Sequence, residues 1–206
     1  MISLQGEHKI RVAAEKNSKK TKIFLDMDGV VFFWEKAAAK SLGMSIDDPK
    51  VRSHLKKGRE MQDFVGGDSK MWPIIDNEGA EWWENLEMLP WGEKLYKEMK
   101  RLAGDFAFLT SPNKNPLCLA GKLKSLQKHF GVDFKDYMIG AHKHLCASPN
   151  AILIDDSEKK IIKFRQYGGV AFHWPNPLQL LDKEVNLEET FQKLYELIST
   201  VEGKIR

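Results

Sequence analysis

The chain has 206 residues and a mass of 23.7 kDa, with 42% apolar residues, 30% charged residues and 15 glycines. This suits one folded domain with a modest insertion, and it excludes a disordered chain, a collagen-like chain or two full catalytic modules. The net charge of +3 belongs to residues 1–22, where six Lys/Arg face two Glu; residues 23–206 sum to −1, so a broad polyanion-binding face is not expected.

Residues 1–21 read as a polar, partly disordered leader with no apolar segment of the secretory kind. No run approaches 18 apolar residues, so the expectations are a cytoplasmic protein and no membrane contact. Cys118 and Cys146 have no metal-ligand spacing and read as reduced thiols. The first apolar run, residues 22–25, ends at Asp26, and similar runs recur at 106–109, 151–154 and 169–172. Continuous rather than alternating apolar character marks strands covered on both faces, as in a parallel sheet.

Helical patterns separate these runs. Residues 91–102 align Leu95, Met99 and Leu102; residues 117–130 align Leu119, Leu123, Leu126 and Phe130; residues 157–167 follow the third run. A last helix starts after Asn186, whose side chain can cap it, with Glu189 placed to return a bond; its stripe is Leu187, Phe191, Leu194, Ile198 and Val201, and it ends near Gly203. Alternating strands and helices predict a Rossmann-like, doubly wound α/β sheet. Residues 41–90 are too long for a plain crossover and predict a helical cap at the carboxyl edge, leaving 22–40 and 91–206 as the α/β core.

Two acids spaced i, i+2, Asp26 and Asp28, follow the first strand and share one side of an extended chain. A second pair, Asp155 and Asp156, ends another strand and can converge on the first. Four carboxylates repel one another unless a hard divalent cation sits among them, and an oxygen-only donor set suits Mg²⁺. Thr110 and Ser111, at the end of the 106–109 strand, offer hydroxyls to a phosphoryl oxygen, and Lys143 offers a point charge. Asn113 and Lys114 fit either a specificity role or a turn.

In order along the chain, the DxDG motif at Asp26, the strand ending in Thr110, the lone Lys143 and the acidic pair Asp155–Asp156 resemble the phosphatases of the haloacid dehalogenase superfamily. The resemblance implies that Asp26 is the nucleophile, forming an aspartyl-phosphate, and that Asp28 is the general acid and base. It also implies a Mg²⁺ held by Asp26, the backbone carbonyl of Asp28 and Asp156, with Asp155 in close support. Thr110, Ser111, Lys143 and the backbone near Gly29 would hold the phosphoryl group.

A narrower resemblance rests on DMDGVVFFWE, LTSP, the Trp82–Trp83 segment and LIDDS…GGVAF, which together look like the 5′(3′)-deoxyribonucleotidases. It implies a small-molecule phosphomonoester substrate, namely a nucleoside monophosphate, whose base stacks on Trp34, eight residues after the nucleophile. Trp72, Trp82 and Trp83 would complete that wall, while Trp91 and Trp174 read as packing. The alternatives are a phosphate on a nucleic-acid end or a sugar, and a non-catalytic nucleotide-binding module. The domain's charge speaks against nucleic acid, and a homodimer is as compatible with the sequence as a monomer.

Overall fold

The computed structural model describes residues 20–205, so the leader reading for residues 1–19 lies outside the described residues. In chain order the elements are β1 (Lys22–Leu25), α1 (Trp34–Ser41), α2 (Pro49–Lys56), α3 (Met61–Val65), α4 (Asp68–Asn77), α5 (Gly79–Glu84) and α6 (Gly92–Leu102). There follow β2 (Asp105–Thr110), α7 (Pro116–Phe130), β3 (Tyr137–Ile139), a 3₁₀ turn (Lys143–Cys146), β4 (Ala151–Asp155), α8 (Glu158–Gln166), β5 (Val170–His173), α9 (Pro177–Leu181) and α10 (Leu187–Ile205). The five strands form one parallel sheet in the order β3-β2-β1-β4-β5.

Both faces of that sheet are covered, which is why its strands are apolar along their central positions. Ile23, Leu25, Phe108, Ile152 and Ile154 point to one face and join the larger core with Leu95, Met99, Phe191, Leu194 and Ile198. Phe24, Ala107, Leu109, Leu153 and Ala171 point to the other, against Ile161 and Phe164 of α8. The winding reverses between β1 and β4, and such a switch point opens a crevice beyond the strands' carboxyl ends.

The segment between α1 and α6 folds as four short helices. Their apolar residues Val51, Leu55, Met61, Met71 and Ile75 belong to the same core cluster as Ile23 and Leu25. Polar clamps fix it at two ends. Asn176 Nδ2 donates to the Leu55 carbonyl at 3.1 Å, and Asn113 Nδ2 donates to Asp76 Oδ1 at 2.8 Å. The latter bond commits Asn113 to holding its loop.

One expectation is corrected, one helix boundary shifts by two residues, and one strand is added. The face of α7 is rotated: Cys118, Gly121, Lys122, Ser125 and Leu126 are buried, whereas Leu119 is exposed. Gly121 causes this, because a Cβ there would overlap the Ala80 carbonyl and the Trp83 side chain, so α7 approaches α5 along its smallest residue. The last helix passes through Gly203 to Ile205, and Asn186 Oδ1 accepts from the Glu188 and Glu189 N–H groups at 2.9 and 3.2 Å. The edge strand β3 lies outside the four predicted runs. No helix among the described residues is long and apolar enough to cross a membrane.

Candidate active site

At the switch point the ladder carries Asp26 beside β4, its N–H donating to the Ile154 carbonyl at 2.9 Å. The Asp26 side chain is almost fully buried, and its Oδ1 accepts from the Met27 N–H at 2.8 Å. A tight turn follows, in which the N–H groups of Val31 and Phe32 both donate to the Met27 carbonyl. Gly29 holds that turn at φ +71°, and a Cβ there would overlap the Asp156 carboxylate. Glycine is therefore required twice, for its backbone angle and for the close approach. Its own N–H donates to the Phe32 carbonyl at 2.9 Å, so Gly29 gives the site space rather than a donor.

Carboxylate oxygens of Asp26, Asp155 and Asp156 lie within 4.8 Å of one another. Buried Lys143 bridges two of them, with Nζ 2.7 Å from Asp26 Oδ2 and 2.7 Å from Asp155 Oδ2. Lys160, in the first turn of α8, stands 3.5 Å from Asp26 Oδ2 and 3.9 Å from Asp155 Oδ1. Asp155 Oδ1 also accepts the Ser157 N–H at 2.9 Å, tying this acid to the start of α8.

The electrostatics divide these acids. Burial alone would raise the Asp26 carboxyl, but Lys143, then Lys160 and Lys122, bring it well below the ordinary carboxylate range, so it is ionised. Asp155 is shifted upward by burial and by the charge of Asp26, and Asp156 strongly upward by burial and by Asp155, Glu35 and Asp26. Burial would lower the Lys160 ammonium, yet the carboxylates of Asp26, Asp155 and Asp156 raise it further. Burial also pushes Glu35 up to about 7, with the charge of Asp28 adding to it.

The Asp28 carboxylate stands outside this three-acid group but lines the same cavity. Its Oδ2 accepts a short bond from Lys122 Nζ, which also donates to Thr110 Oγ1 at 2.7 Å and to the Ser111 carbonyl at 2.9 Å. Among the described residues Asp28 Oδ1 and Glu35 Oε2 are buried without a partner. Three clustered carboxylates with two of them shifted upward, next to orphaned acidic oxygens, form an oxygen-rich set short of positive charge. That set fits a hard divalent cation such as Mg²⁺.

Above these residues lies a cavity of about 450 Å³ whose lining includes Asp26, Asp28, Gly29, Trp34, Trp72 and Asp156. Thr110, Ser111 and Lys143 are outside that lining; Lys143 reaches it through Asp26, and Thr110 through Lys122 and Asp28. Trp34 and Trp72 pair at 6.1 Å between ring centroids.

Trp82 and Trp83 do not line this cavity, contrary to the sequence expectation. Both are buried, packed edge to face at 4.7 Å, with Trp83 stacked behind Trp72 at 6.5 Å. Trp82 borders a separate hollow with Phe33 and Lys36, and its Nε1 donates to Ser41 Oγ at 2.8 Å. The close contact of α5 with α7 at Gly121 draws the pair inward.

Lys122, Lys160 and Glu35 are the site residues absent from the sequence reading. One signal for Lys122 was available: it stands four residues after Cys118 and four before Leu126, on a stripe otherwise free of charge.

No protein-family model matches the chain, and a search of curated proteins gives no match. Among solved structures the chain is similar to a predicted phosphatase from Clostridium acetobutylicum, at 14% identity and a TM-score of 0.53, over 86% of this chain and 99% of that one. It is also similar to a phosphonoacetaldehyde hydrolase like protein from Oleispira antarctica, at 10% identity and a TM-score of 0.50, over 91% and 94% of the two chains. The fold shared is a Rossmann-type α/β architecture, a parallel sheet covered by helices on both faces.

Proposed function

We propose that this chain is a Mg²⁺-dependent phosphomonoesterase of the haloacid dehalogenase superfamily that acts on nucleoside monophosphates through an aspartyl-phosphate. One observation carries the reading. An ionised, buried carboxylate, Asp26, stands at the switch point of the sheet with Lys143 on one oxygen and two further acids beside it. Crowding acids in a buried place is costly to the fold, and a nucleophile directed at a metal-bound phosphate accounts for it. The similarity in fold to a predicted phosphatase supports the same reading.

Asp26 Oδ attacks phosphorus as the bond to the leaving oxygen breaks, and Asp28 gives its proton to that oxygen to release the alcohol. Water then attacks phosphorus, Asp28 takes the water's proton, and the aspartyl–phosphate bond breaks to restore Asp26 and free phosphate. Asp26 and Asp156, with Asp155 behind them and the Asp28 carbonyl, would hold Mg²⁺, which when bound offsets the charge between carboxylate and phosphoryl oxygens. Lys143 acts on the phosphoryl group from behind Asp26, and Thr110 from behind Lys122 and Asp28. Residues 41–90 act as a cap that excludes bulk water, and Trp34 with Trp72 offers the base a stacking wall.

The test uses purified protein, Mg²⁺ and a panel of nucleoside monophosphates. Phosphate release is expected, and Asp26→Asn should abolish it. Release that survives in Asp26→Asn would overturn the nucleophile assignment, and nucleotide binding without any release would favour a binding module.

A further inference from the structure

Lys122 is charged, fully enclosed and absent from the two-step chemistry above. A lysine ammonium has three donors and no acceptor. Here all three are used, on Asp28 Oδ2, Thr110 Oγ1 and the Ser111 carbonyl, and the Trp83 ring lies 5.1 Å from Nζ on a further side. Removing such a cation from water costs several kcal/mol and is sustained only where each donor has a partner. The three acceptors come from two segments that the sheet brings together, the turn after β1 and the end of β2. Lys122 therefore links the acid to the Thr110 hydroxyl.

From this geometry we infer that Lys122 is the positioning residue for leaving-group protonation, fixing Asp28, which lines the cavity, against the end of β2. The inference rests on the reading of the site as a phosphomonoesterase. Two consequences follow from the donor pattern. Thr110 Oγ1 accepts from Lys122, so its own proton stays free to donate. The Asp28 carboxyl is anchored at one oxygen, so its swing about the Cβ–Cγ bond is restricted when it delivers its proton. A residue that only stabilised the fold would alter all substrates alike. Lys122 should instead matter most where the departing oxygen needs that proton.

The test is the ratio of kcat/KM for a nucleoside monophosphate, whose alkoxide is a poor leaving group, to that for 2,4-dinitrophenyl phosphate, which departs without protonation. The constant kcat/KM reports the steps up to phosphoenzyme formation, so it isolates the cleavage that Asp28 assists. In Lys122→Met the ratio should fall by about tenfold or more, within the range general acid catalysis supplies. An equal loss on both substrates, or no loss, overturns the inference. If Lys122→Met does not fold, D28N is compared with D28N/K122M, where both charges are gone. The ratio should then be the same in the two, and a further drop in the ratio of the double variant overturns the inference. Wild-type protein inactive on every monoester would instead refute the proposed function, an outcome separate from a uniform loss in the Lys122 variant.

Discussion

Two buried lysines sit on either side of the turn after β1 and serve it differently. Lys143 lies between two carboxylates, Asp26 and Asp155, and offsets accumulated negative charge. Lys122 has one carboxylate, one hydroxyl and one carbonyl, so its ammonium holds a geometry more than it balances a charge. The same side chain works as a counter-ion where acids converge and as a three-pronged clamp where different acceptors meet.

That contrast is open to direct attack. The largest effect belongs to the Lys143 side: Asp26→Asn should lower phosphate release by roughly 10³-fold or more, and Lys143→Met by about 10² to 10³-fold. Both losses should be the same for nucleotide and dinitrophenyl substrates. A strong leaving-group dependence in Lys143→Met would erase the division of labour between the two lysines.

Next in size is a pH effect on stability in metal-free protein. Glu35 is raised in the folded state to about 7 from 4.5, so between these values the folded protein holds the extra proton. Stability is then highest below pH 4.5 with respect to this group and falls as pH rises through 7, by at most about 3 kcal/mol. Denaturant melts of Glu35→Gln should lack most of that fall; an unchanged profile would remove Glu35 from the buried acidic group.

A cation sharpens the comparison further. Mg²⁺ at about 100 times its Kd should stabilise the wild type by about 3 kcal/mol in thermal melts. Asp156→Asn should lose that gain, and Lys122→Met should keep it. The smallest effect concerns the tryptophans: Trp34→Ala should raise KM for a nucleotide by about tenfold, the worth of one stacked base. Trp82→Ala should leave KM nearly unchanged and lower the melting temperature, because its ring is core.

The sheet was legible because its strands have continuous apolar centres, and the two at the switch point, β1 and β4, lead into acids, so Asp26 and Asp155 mark both a strand terminus and a site. The half-exposed edge strand Tyr137–Ile139, three residues long, carries no such signal. Lys122 was hidden for a different reason. Helical periodicity ranks faces by apolarity, and the face bearing Leu119 and Leu123 outscored one with a glycine, a serine and a lysine. Packing chose the second face, since the short contact at Gly121 and the three acceptors for Lys122 are tertiary facts. Trp82 and Trp83 were ambiguous in kind, as adjacent aromatics fit a wall or a core equally well.

The missing methyl at position 121 therefore sets how deep the neighbouring ammonium reaches. Adding one carbon there would wedge α7 off α5 and draw the Lys122 prongs back from Asp28 and Thr110 together. A site that touches no substrate thus works as a mechanical adjustment on proton delivery, out of contact with phosphate, metal and base alike.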